Sequence, residues 1–264
     1  MIGRIISLTS DFGLRDPYVA EMKAVILKIC PNATIVDTSH EIEKFNVRMG
    51  AYVLACTSHY FPKNTIHVAV VDPEVGTKRR PIVIDAKTTF FIGPDNGVLA
   101  LAAKNQGVQH VYEITNRKLM LPRISNTFHG RDIFAPAAAH LANGILPADF
   151  GPEIDDIASP SFSKTIKEKD KLVGEVLYTD DFGNIITNFN KKELRLIGMK
   201  EEFEVELGKR KAKLRLYKTY AEAKTHELLA SIGSHDFLEI SVNQADAAKV
   251  FKVKIGDKVT LHYS

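Results

Sequence analysis

A short run of apolar residues constrains the fold more than any other feature of this sequence. Residues 68–71 are all valine or alanine, and Asp72 and Pro73 follow at once. A continuous apolar segment bounded by turn residues is typical of a strand buried on both faces, as in a parallel sheet between helices. Asp72 is therefore expected at the carboxyl end of a buried strand, which is the edge where open α/β sheets bind ligands.

The loop after this strand brings two arginines within reach of the carboxylate. Pro73 and Gly76 favour a loop of fixed shape over a helix, and Arg79 and Arg80 follow a few residues later. An ordinary strand-loop-strand connection with a surface ion pair would show the same pattern, and such exposed pairs are common and weak. The segment alone leaves both interpretations open.

A histidine in a second polar segment favours the functional interpretation. His129 lies between Phe128 and Gly130, just before an apolar helical run at 133–142. Its polar surroundings predict a loop position, and Gly130 would let another group approach closely. A lone histidine is more often structural than catalytic, but here its neighbours could orient the ring.

Strand and helix patterns alternate over residues 1–158. The strand patterns lie at 5–9, 34–36, 66–71, 82–85 and 89–92, and helical patterns follow Pro17, span 46–57 and pass through Leu99. Alternating strands and helices with short loops predict a mostly parallel sheet that is covered on both faces. We therefore expect an α/β domain at 1–158.

The pattern changes near residue 158. Residues 159–171 are polar, contain proline and serine and carry a charge run, which is typical of a linker. Seven short strand patterns with close turns follow in 172–264. This spacing predicts a smaller antiparallel domain, either a barrel or a sandwich.

Composition excludes several classes of function. The 264 residues are 45% hydrophobic and 25% charged, which is ordinary for a globular protein, and the net charge of +3 is too small to indicate nucleic-acid binding. No apolar run approaches the roughly 20 residues of a membrane span, so we expect a cytoplasmic protein without a membrane partner. Cys30 and Cys56 show no metal spacing and are expected to be buried free thiols.

The remaining polar residues suit a nucleoside-like cation. Acidic residues follow several strands, and a polar turn at 178–184 contains Asp180, Phe182 and Asn184. An aromatic ring and an amide suit a flat heterocycle, while carboxylates suit ribose hydroxyls or a positive charge. Metal-ligand spacing, a nucleophile elbow and a phosphate-binding glycine loop are all missing from the sequence, so no metal site is expected.

Five ordered motifs resemble those of a known family. They are Thr9–Gly13, Asp72–Arg79, Gly93–Gly97, Thr127–Asp132 and Phe182–Asn184. In this order, over nearly the full length, they resemble the S-adenosyl-L-methionine hydroxide adenosyltransferases, hydrolases related to the fluorinase and chlorinase. The resemblance implies an α/β domain followed by a small β-barrel at 172–264. It also implies no cofactor beyond the substrate, and a homotrimer with active sites between subunits.

The resemblance also implies a reaction and a set of site residues. Activated water would attack C5′ of the ribose and convert S-adenosyl-L-methionine into adenosine and L-methionine. The positions that match the family's water-activating set are Asp72, Arg79 and His129. The implied substrate contacts are Asp11 for the ribose diol, Asp180 for the methionine ammonium, Phe182 and Asn184 for adenine, Ser234 for the methionine carboxylate, and Asp16 and Asn96 without a defined role.

Departures from the family pattern bear on the reaction. Gly130 stands where the fluorinase has a halide-binding serine, and Asp72 stands where halogenases have tyrosine, which favours a hydrolase. Glu74 replaces a common glycine, and His235 follows Ser234 where an arginine can stand. The alternatives are a non-catalytic S-adenosylmethionine or adenosine binding protein, a chlorinase-like enzyme that uses halide, and an unrelated metal-dependent phosphoesterase.

Overall fold

The structure is a computed structural model that describes residues 5–208 and 210–263, without the side chain of Ser163. The chain divides into two compact units, Met1–Ser159 and Pro160–Ser264. Within the described ranges, no helix combines the length and the apolar character that crossing a bilayer requires.

The first unit is a mixed six-stranded sheet with helices on its faces. Its strands are β1 (Ile5–Ser10), β2 (Thr34–Ser39), β3 (Ile66–Val70), β4 (Pro81–Ala86), β5 (Phe90–Pro94) and β6 (Val108–Glu113). Its α-helices are α1 (Tyr18–Ile29), α2 (Val47–Ser58), α3 (Ala100–Gln106) and α4 (Ala135–Ala142). The strand order in the described part is β2-β1-β3-β5-β4-β6. The α/β class predicted from the sequence is confirmed.

The sheet is less parallel than the sequence pattern predicts. Strands β1, β2, β3 and β5 pair in parallel, but β4 is antiparallel to both β5 and β6. The reason lies in the short connection between β4 and β5, since neighbouring parallel strands need a crossover of a dozen or more residues. A hairpin is the geometry that so short a connection allows.

The central strands place the predicted acids at one edge of the sheet. All five residues of β3 are buried, which confirms the prediction of a strand covered on both faces. Ser10 of β1 pairs with Val70 of β3 in parallel register. Because the carboxyl ends of parallel strands meet at the same edge, Asp11 and Asp72 follow these strands side by side.

The second unit is an antiparallel sheet that nearly closes into a barrel. Its strands are β7 (Ile166–Lys167), β8 (Lys171–Thr179), β9 (Ile185–Asn190), β10 (Glu202–Leu207), β11 (Arg210–Arg215), β12 (Leu228–Ile232), β13 (Phe237–Val242) and β14 (Lys258–His262), with helices α5 (Lys191–Leu196) and α6 (Ala247–Phe251). The main path is β11-β10-β14-β8-β9-β13-β12, and β7 pairs with β8. A bridge from Leu216, just past β11, to Ala230 of β12 joins the two ends of this path. The predicted barrel is confirmed.

The structure describes one more strand in this unit than the sequence predicts. The extra strand is β7, whose two residues are too few to show a hydrophobic alternation. It lies in the stretch 159–171 that was predicted as a linker, after a 3-10 turn at Ser161–Ser163. Cys30 and Cys56 lie in the first unit, where both are buried and neither forms a disulfide bond within the described residues, as expected.

Candidate functional site

Three of the predicted residues meet in one cluster. Asp72 follows β3, Arg79 lies just before β4, and His129 precedes a π-helical turn at Gly130–Phe134. The Nε of Arg79 is 3.0 Å from both carboxylate oxygens of Asp72, and its Nη2 also donates to Asp72 Oδ2. The same Nη2 lies 2.8 Å from Nδ1 of His129. Arg79 therefore links the other two side chains.

The ion pair in this cluster is buried. The side chains of Arg79 and Asp72 are only 4% and 5% exposed. A buried carboxylate that is held in this forked way forms charge-assisted hydrogen bonds, and its partner cannot be removed without leaving an uncompensated charge. The alternative of an exposed surface ion pair is therefore wrong.

The contact with Arg79 defines the protonation state and the tautomer of His129. A guanidinium has donors only, so Nδ1 of His129 accepts and the neutral ring carries its hydrogen on Nε2. Burial, and then the positive charge of Arg79, lower the pKa of His129 from its ordinary value of 6.5, although Asp72 and Asp132 oppose this shift. The ring is therefore neutral at pH 7.

One donor of Arg79 remains available. Its Nη1 is buried and has no hydrogen-bond partner in the part of the chain that the structure describes. The guanidinium also lies over the ring of Phe134, 5.3 Å from the ring centroid. A buried donor without a partner costs free energy, so a ligand or a water that accepts from Nη1 would be favoured there.

A cavity of about 220 Å³ lies beside the cluster. Its wall includes Asp72 and His129 together with two further predicted residues, Asp11 and Asp16. The other lining residues are mostly apolar or aromatic and include Phe12, Tyr18, Phe45, Val75 and Phe128. An apolar pocket with a few polar groups at fixed positions is the usual form of a small-molecule site.

Asp11 has one carboxylate oxygen that is free for a ligand. Its Oδ2 accepts from the backbone N–H of Phe45 at 2.9 Å, and Lys44 donates to its carbonyl oxygen. Its Oδ1 has no protein partner among residues 5–208 and 210–263. Asp16 lies at the exposed rim of the cavity.

Two glycines shape the loops around the cavity. Gly76 has φ 78°, and a Cβ there would lie 2.3 Å from the carbonyl oxygen of Asn126. Gly130 is enclosed by Met22, Phe12 and Phe128, whose nearest atoms would lie 3.3–3.4 Å from an added Cβ. Glu74 is exposed and is not among the residues with positive φ, so its backbone conformation accommodates a side chain.

Asn96 does not reach this cavity wall. Its Nδ2 donates to the carbonyl oxygen of Val71 at 2.8 Å, and its Oδ1 accepts from the N–H of Val98 at 3.1 Å. These bonds fasten the turn after β5 to the residue that precedes Asp72. A contact of Asn96 with substrate stays a prediction.

The predicted turn in the second unit is closed on itself. Asp180 Oδ1 accepts from the backbone N–H groups of Phe182 and Asn184 at 3.0 and 2.8 Å, and its Oδ2 accepts from the Asn184 side chain at 2.8 Å. Gly183, with φ 83°, packs so closely on Asp246 that no Cβ would fit. The Phe182 ring is 82% exposed. The turn therefore presents an aromatic ring to solvent on a rigid base.

Ser234 lies in the exposed turn between β12 and β13, and its Oγ is 3.4 Å from Nδ1 of His235.

Next to this turn is a buried acid that the sequence analysis missed. Glu239 Oε2 accepts from the hydroxyl of Tyr220 at 2.9 Å, and burial, followed by the charge of Asp180, raises the pKa of Glu239. Burial and Glu239 together raise the pKa of Tyr220 to about 12. A glutamate inside a strand pattern carries no signal that would single it out.

Metal-binding groups do not appear in the described part of the chain. Within residues 5–208 and 210–263, no three or more His, Cys, Asp or Glu side chains are arranged to hold a metal ion.

Comparison with known proteins covers nearly the whole chain. Residues 6–151 match the family profile of the SAM hydroxide adenosyltransferase N-terminal domain, and residues 174–260 match that of the C-terminal domain. The chain is 36% identical over 271 residues to a protein named (R)-S-adenosyl-L-methionine hydrolase from Methanocaldococcus jannaschii, covering 98% of this chain and 96% of that protein. It is 27% identical to a fluorinase from an Actinoplanes species, covering 97% of each.

A solved structure shows the same fold. It is the crystal structure of an uncharacterized conserved protein from Thermotoga maritima, with a TM-score of 0.86 and 41% sequence identity. The match covers 97% of this chain and 99% of that one. Both units of the chain therefore have counterparts in known proteins.

Proposed function

Since this chain belongs to the SAM hydroxide adenosyltransferase family, we propose that it hydrolyses S-adenosyl-L-methionine to adenosine and L-methionine. The observation that carries the proposal is the buried cluster in which Arg79 holds Asp72 and His129 beside a cavity. Hydrolases and fluorinases share the fold, so the fold does not distinguish them, and it is the cluster that supports a hydrolase.

The cluster suits activation of a water molecule. Free water has a pKa of about 15.7, so attack at neutral pH needs a proton acceptor and a positive charge that stabilises the developing hydroxide. Nδ1 of His129 is occupied by Arg79, so Asp72 is the acceptor, and the free Nη1 of Arg79 stabilises the oxygen. The water oxygen bonds to C5′ while the C5′–S bond breaks and its electron pair returns to sulfur.

The reaction itself explains why a metal or an acid is unnecessary. The leaving group departs as the neutral thioether of methionine, so it needs no protonation. The positive sulfonium and the developing hydroxide cancel charge as they approach, so a dry, partly apolar cavity favours the step. We propose that the enzyme acts without a cofactor. Full activity in excess chelator would support this, and loss of activity would favour a metal-dependent phosphoesterase.

Product analysis tests the proposed reaction directly. Purified protein incubated with S-adenosyl-L-methionine should yield adenosine and L-methionine in equal amounts, as separated by chromatography. In water labelled with ¹⁸O, the label should appear in the 5′-hydroxyl of adenosine, because the water oxygen bonds to C5′. Tight binding of the substrate without turnover would instead identify a binding protein.

Halide should not replace water in this site. A desolvated halide needs a hydrogen-bond donor, and Gly130 supplies no side-chain donor to the cavity wall. The carboxylate of Asp72 would also repel an anion that is placed where water is activated. We therefore propose that high chloride or fluoride yields no 5′-halogenated adenosine. Its detection by mass spectrometry above a protein-free background would favour the chlorinase-like alternative.

We also propose a homotrimer in which each active site is shared between subunits. The family resemblance supports this arrangement, in which the first unit supplies Asp72 and the second unit supplies Phe182. Subunits with Asp72→Ala and with Phe182→Ala should each be impaired alone, yet co-refolded mixtures should regain activity at some sites. A verified mixed oligomer that remains as impaired as its parents would show that each site belongs to one chain.

A further inference from the structure

A series of hydrogen-bonded polar side chains supports the loop that carries Asp11. Lys23 Nζ of α1 lies 2.6 Å from Asp37 Oδ2, and Asp37 Oδ1 lies 3.1 Å from Nε2 of His40. The other ring nitrogen of His40, Nδ1, is 2.7 Å from Oγ of Ser10, the residue before Asp11. The chain of contacts thus runs from a partly exposed lysine to the end of β1.

The donors and acceptors in this series of hydrogen bonds are consistent with one assignment of the hydrogen positions. The backbone N–H of Phe12 donates to Ser10 Oγ at 3.3 Å, so the Ser10 hydroxyl hydrogen is free to donate to Nδ1 of His40. The ring then carries its hydrogen on Nε2 and donates it to Asp37. Ser10 and His40 are only 1% and 4% exposed, so each of these bonds replaces a lost contact with water.

The backbone brings His40 to this position. Leu8 pairs with Asp37, but Thr9 pairs with Ser39, so β2 contains one extra residue at this point. Such an irregularity re-aims the side chains that follow it. The carbonyl oxygen of His40 also accepts from the N–H of Gly13 at 2.7 Å. His40 therefore holds both ends of the segment 10–13.

Ser10, His40 and Asp37 are the residue types of a serine hydrolase triad, but their positions do not suit nucleophilic catalysis. Ser10 is buried, its Oγ is already bound by two groups, and neither Ser10 nor His40 lines the cavity. A nucleophilic serine must reach its substrate. The neighbours that do line the cavity are Asp11 and Phe12.

We propose that His40 is a positioning residue that holds the free oxygen of Asp11 towards the ribose of the substrate. The inference rests on the proposed function and on the predicted contact of Asp11 with the ribose diol. Asp37 and Lys23 orient the ring of His40, His40 fixes Ser10, and Ser10 fixes the backbone on both sides of Asp11. None of these four residues lines the cavity.

The test compares adenosine with 2′,3′-dideoxyadenosine, which lacks both ribose hydroxyls. The ratio of their dissociation constants, measured by calorimetry, reports the contribution of the contacts that the two hydroxyls make. His40→Leu removes both ring hydrogen bonds and should lower this ratio about tenfold, the scale of one hydrogen bond to a charged group, without changing dideoxyadenosine affinity. His40→Gln offers an acceptor and a donor in similar places and should restore the ratio. Asp11→Asn combined with His40→Leu should lose no more than Asp11→Asn alone.

A second buried histidine, which also bonds to a serine of β1, provides the matched control. His67 Nδ1 lies 2.6 Å from Oγ of Ser7 in β1, far from the strand end that carries Asp11. His67→Leu should lower the melting temperature but leave the ligand ratio unchanged. If His40→Leu behaves like His67→Leu, the role of His40 is only structural and the proposal is wrong.

Two further experimental outcomes can be distinguished from these. A wild-type protein that binds both nucleosides equally would contradict the ribose contact and therefore this inference, whereas the proposed hydrolysis fails only if product analysis finds no adenosine and L-methionine. Should His40→Leu fail to fold, Asp37→Ala decides, because Asp37 is partly exposed and its loss frees the His40 ring. An unchanged ratio in Asp37→Ala would overturn the proposal, and a ratio about threefold lower would support it.

Discussion

The two regions that carry the predicted site residues are built in opposite ways. Asp72, Arg79 and His129 come from separate parts of the first unit and meet in a buried cluster, where one guanidinium donor has no partner among the residues that the structure describes. Asp180 and Asn184 lie four residues apart in one turn of the second unit and satisfy each other, leaving Phe182 in solvent.

We propose that the first region serves turnover and that the second serves recognition of the substrate. A preassembled charged cluster with an unpaired donor stabilises charge that develops during a reaction. A turn whose polar groups are occupied, with an exposed ring, supplies surface for recognition. Changes in the cluster should therefore reduce turnover, and changes in the turn should reduce affinity. The following experiments test that separation, beginning with the largest expected effect.

Turnover should depend most on the hydrogen bonds that the Arg79 guanidinium makes to Asp72 and His129. Arg79→Lys keeps a positive charge but cannot bind Asp72 and His129 together, so kcat should fall about 10²- to 10⁴-fold while KM changes little. Asp72→Asn should have an effect of the same size. Steady-state kinetics with S-adenosyl-L-methionine measures both.

The neighbouring Arg80 offers a control for this substitution. Its guanidinium binds Asp95 and Asp156 and has no contact with the cluster. Arg80→Lys should keep kcat near the wild-type value. Equal losses in Arg79→Lys and Arg80→Lys would mean that the loop as a whole, rather than the cluster, limits turnover.

Affinity for the base should depend on the exposed ring. Phe182→Ala should weaken adenosine binding by about 5- to 150-fold, which corresponds to about 1–3 kcal/mol for stacking of one base. The melting temperature should stay constant because the ring is 82% exposed. Leu196→Ala is the control, since Leu196 is 80% exposed in the same unit and lies outside every motif. A Phe182→Ala variant with normal adenosine affinity but low kcat would contradict the proposed separation between turnover by the cluster and recognition by the turn.

Asp180 should separate charge recognition from turn formation. Asp180→Asn keeps Oδ1 as the acceptor for the two backbone N–H groups but loses the negative charge, and it replaces the acceptor of the Asn184 side chain by a donor. Binding of L-methionine, measured by calorimetry, should weaken about tenfold, while binding of adenosine should weaken less, because only the orientation of the Asn184 amide changes. Asp180→Ala also removes the turn and should weaken both ligands. Equal weakening of both ligands by Asp180→Asn would contradict a contact with the methionine ammonium.

The smallest expected effect concerns the protonation of His129. Burial and Arg79 lower its pKa below 6.5, so more than half of the rings are neutral at pH 6.5, and the acid limb of kcat/KM caused by His129 lies below that pH. Protonation would turn Nδ1 into a donor facing a guanidinium and would break the cluster. Titration followed by NMR should give a midpoint below 6.5 for His129. It should lie above 6.5 for His110, whose pKa is raised by a hydrogen bond to Glu153. A midpoint for His129 above that of His110 would contradict the described contact with Arg79.

The sequence by itself determined the class of the fold and the family. The valine-rich run before Asp72 predicts a buried strand, and β3 is buried along its whole length. The barrel could be predicted because alternation and turn residues repeat at short intervals. These features are local in sequence, so short-range patterns record them. The antiparallel β4 was missed because the pattern of a strand is the same in either direction.

Only the tertiary structure decided how the polar residues are used. Spacing placed Arg79 near Asp72, but not the contact with His129 fifty residues later, because that contact depends on how β3 and the turn at Gly130–Phe134 pack. The support of Ser10 by His40 likewise arises from strand pairing and from an extra residue in β2. Hydrogen bonds between distant segments are set by packing of the whole unit, and no local pattern in the chain encodes them.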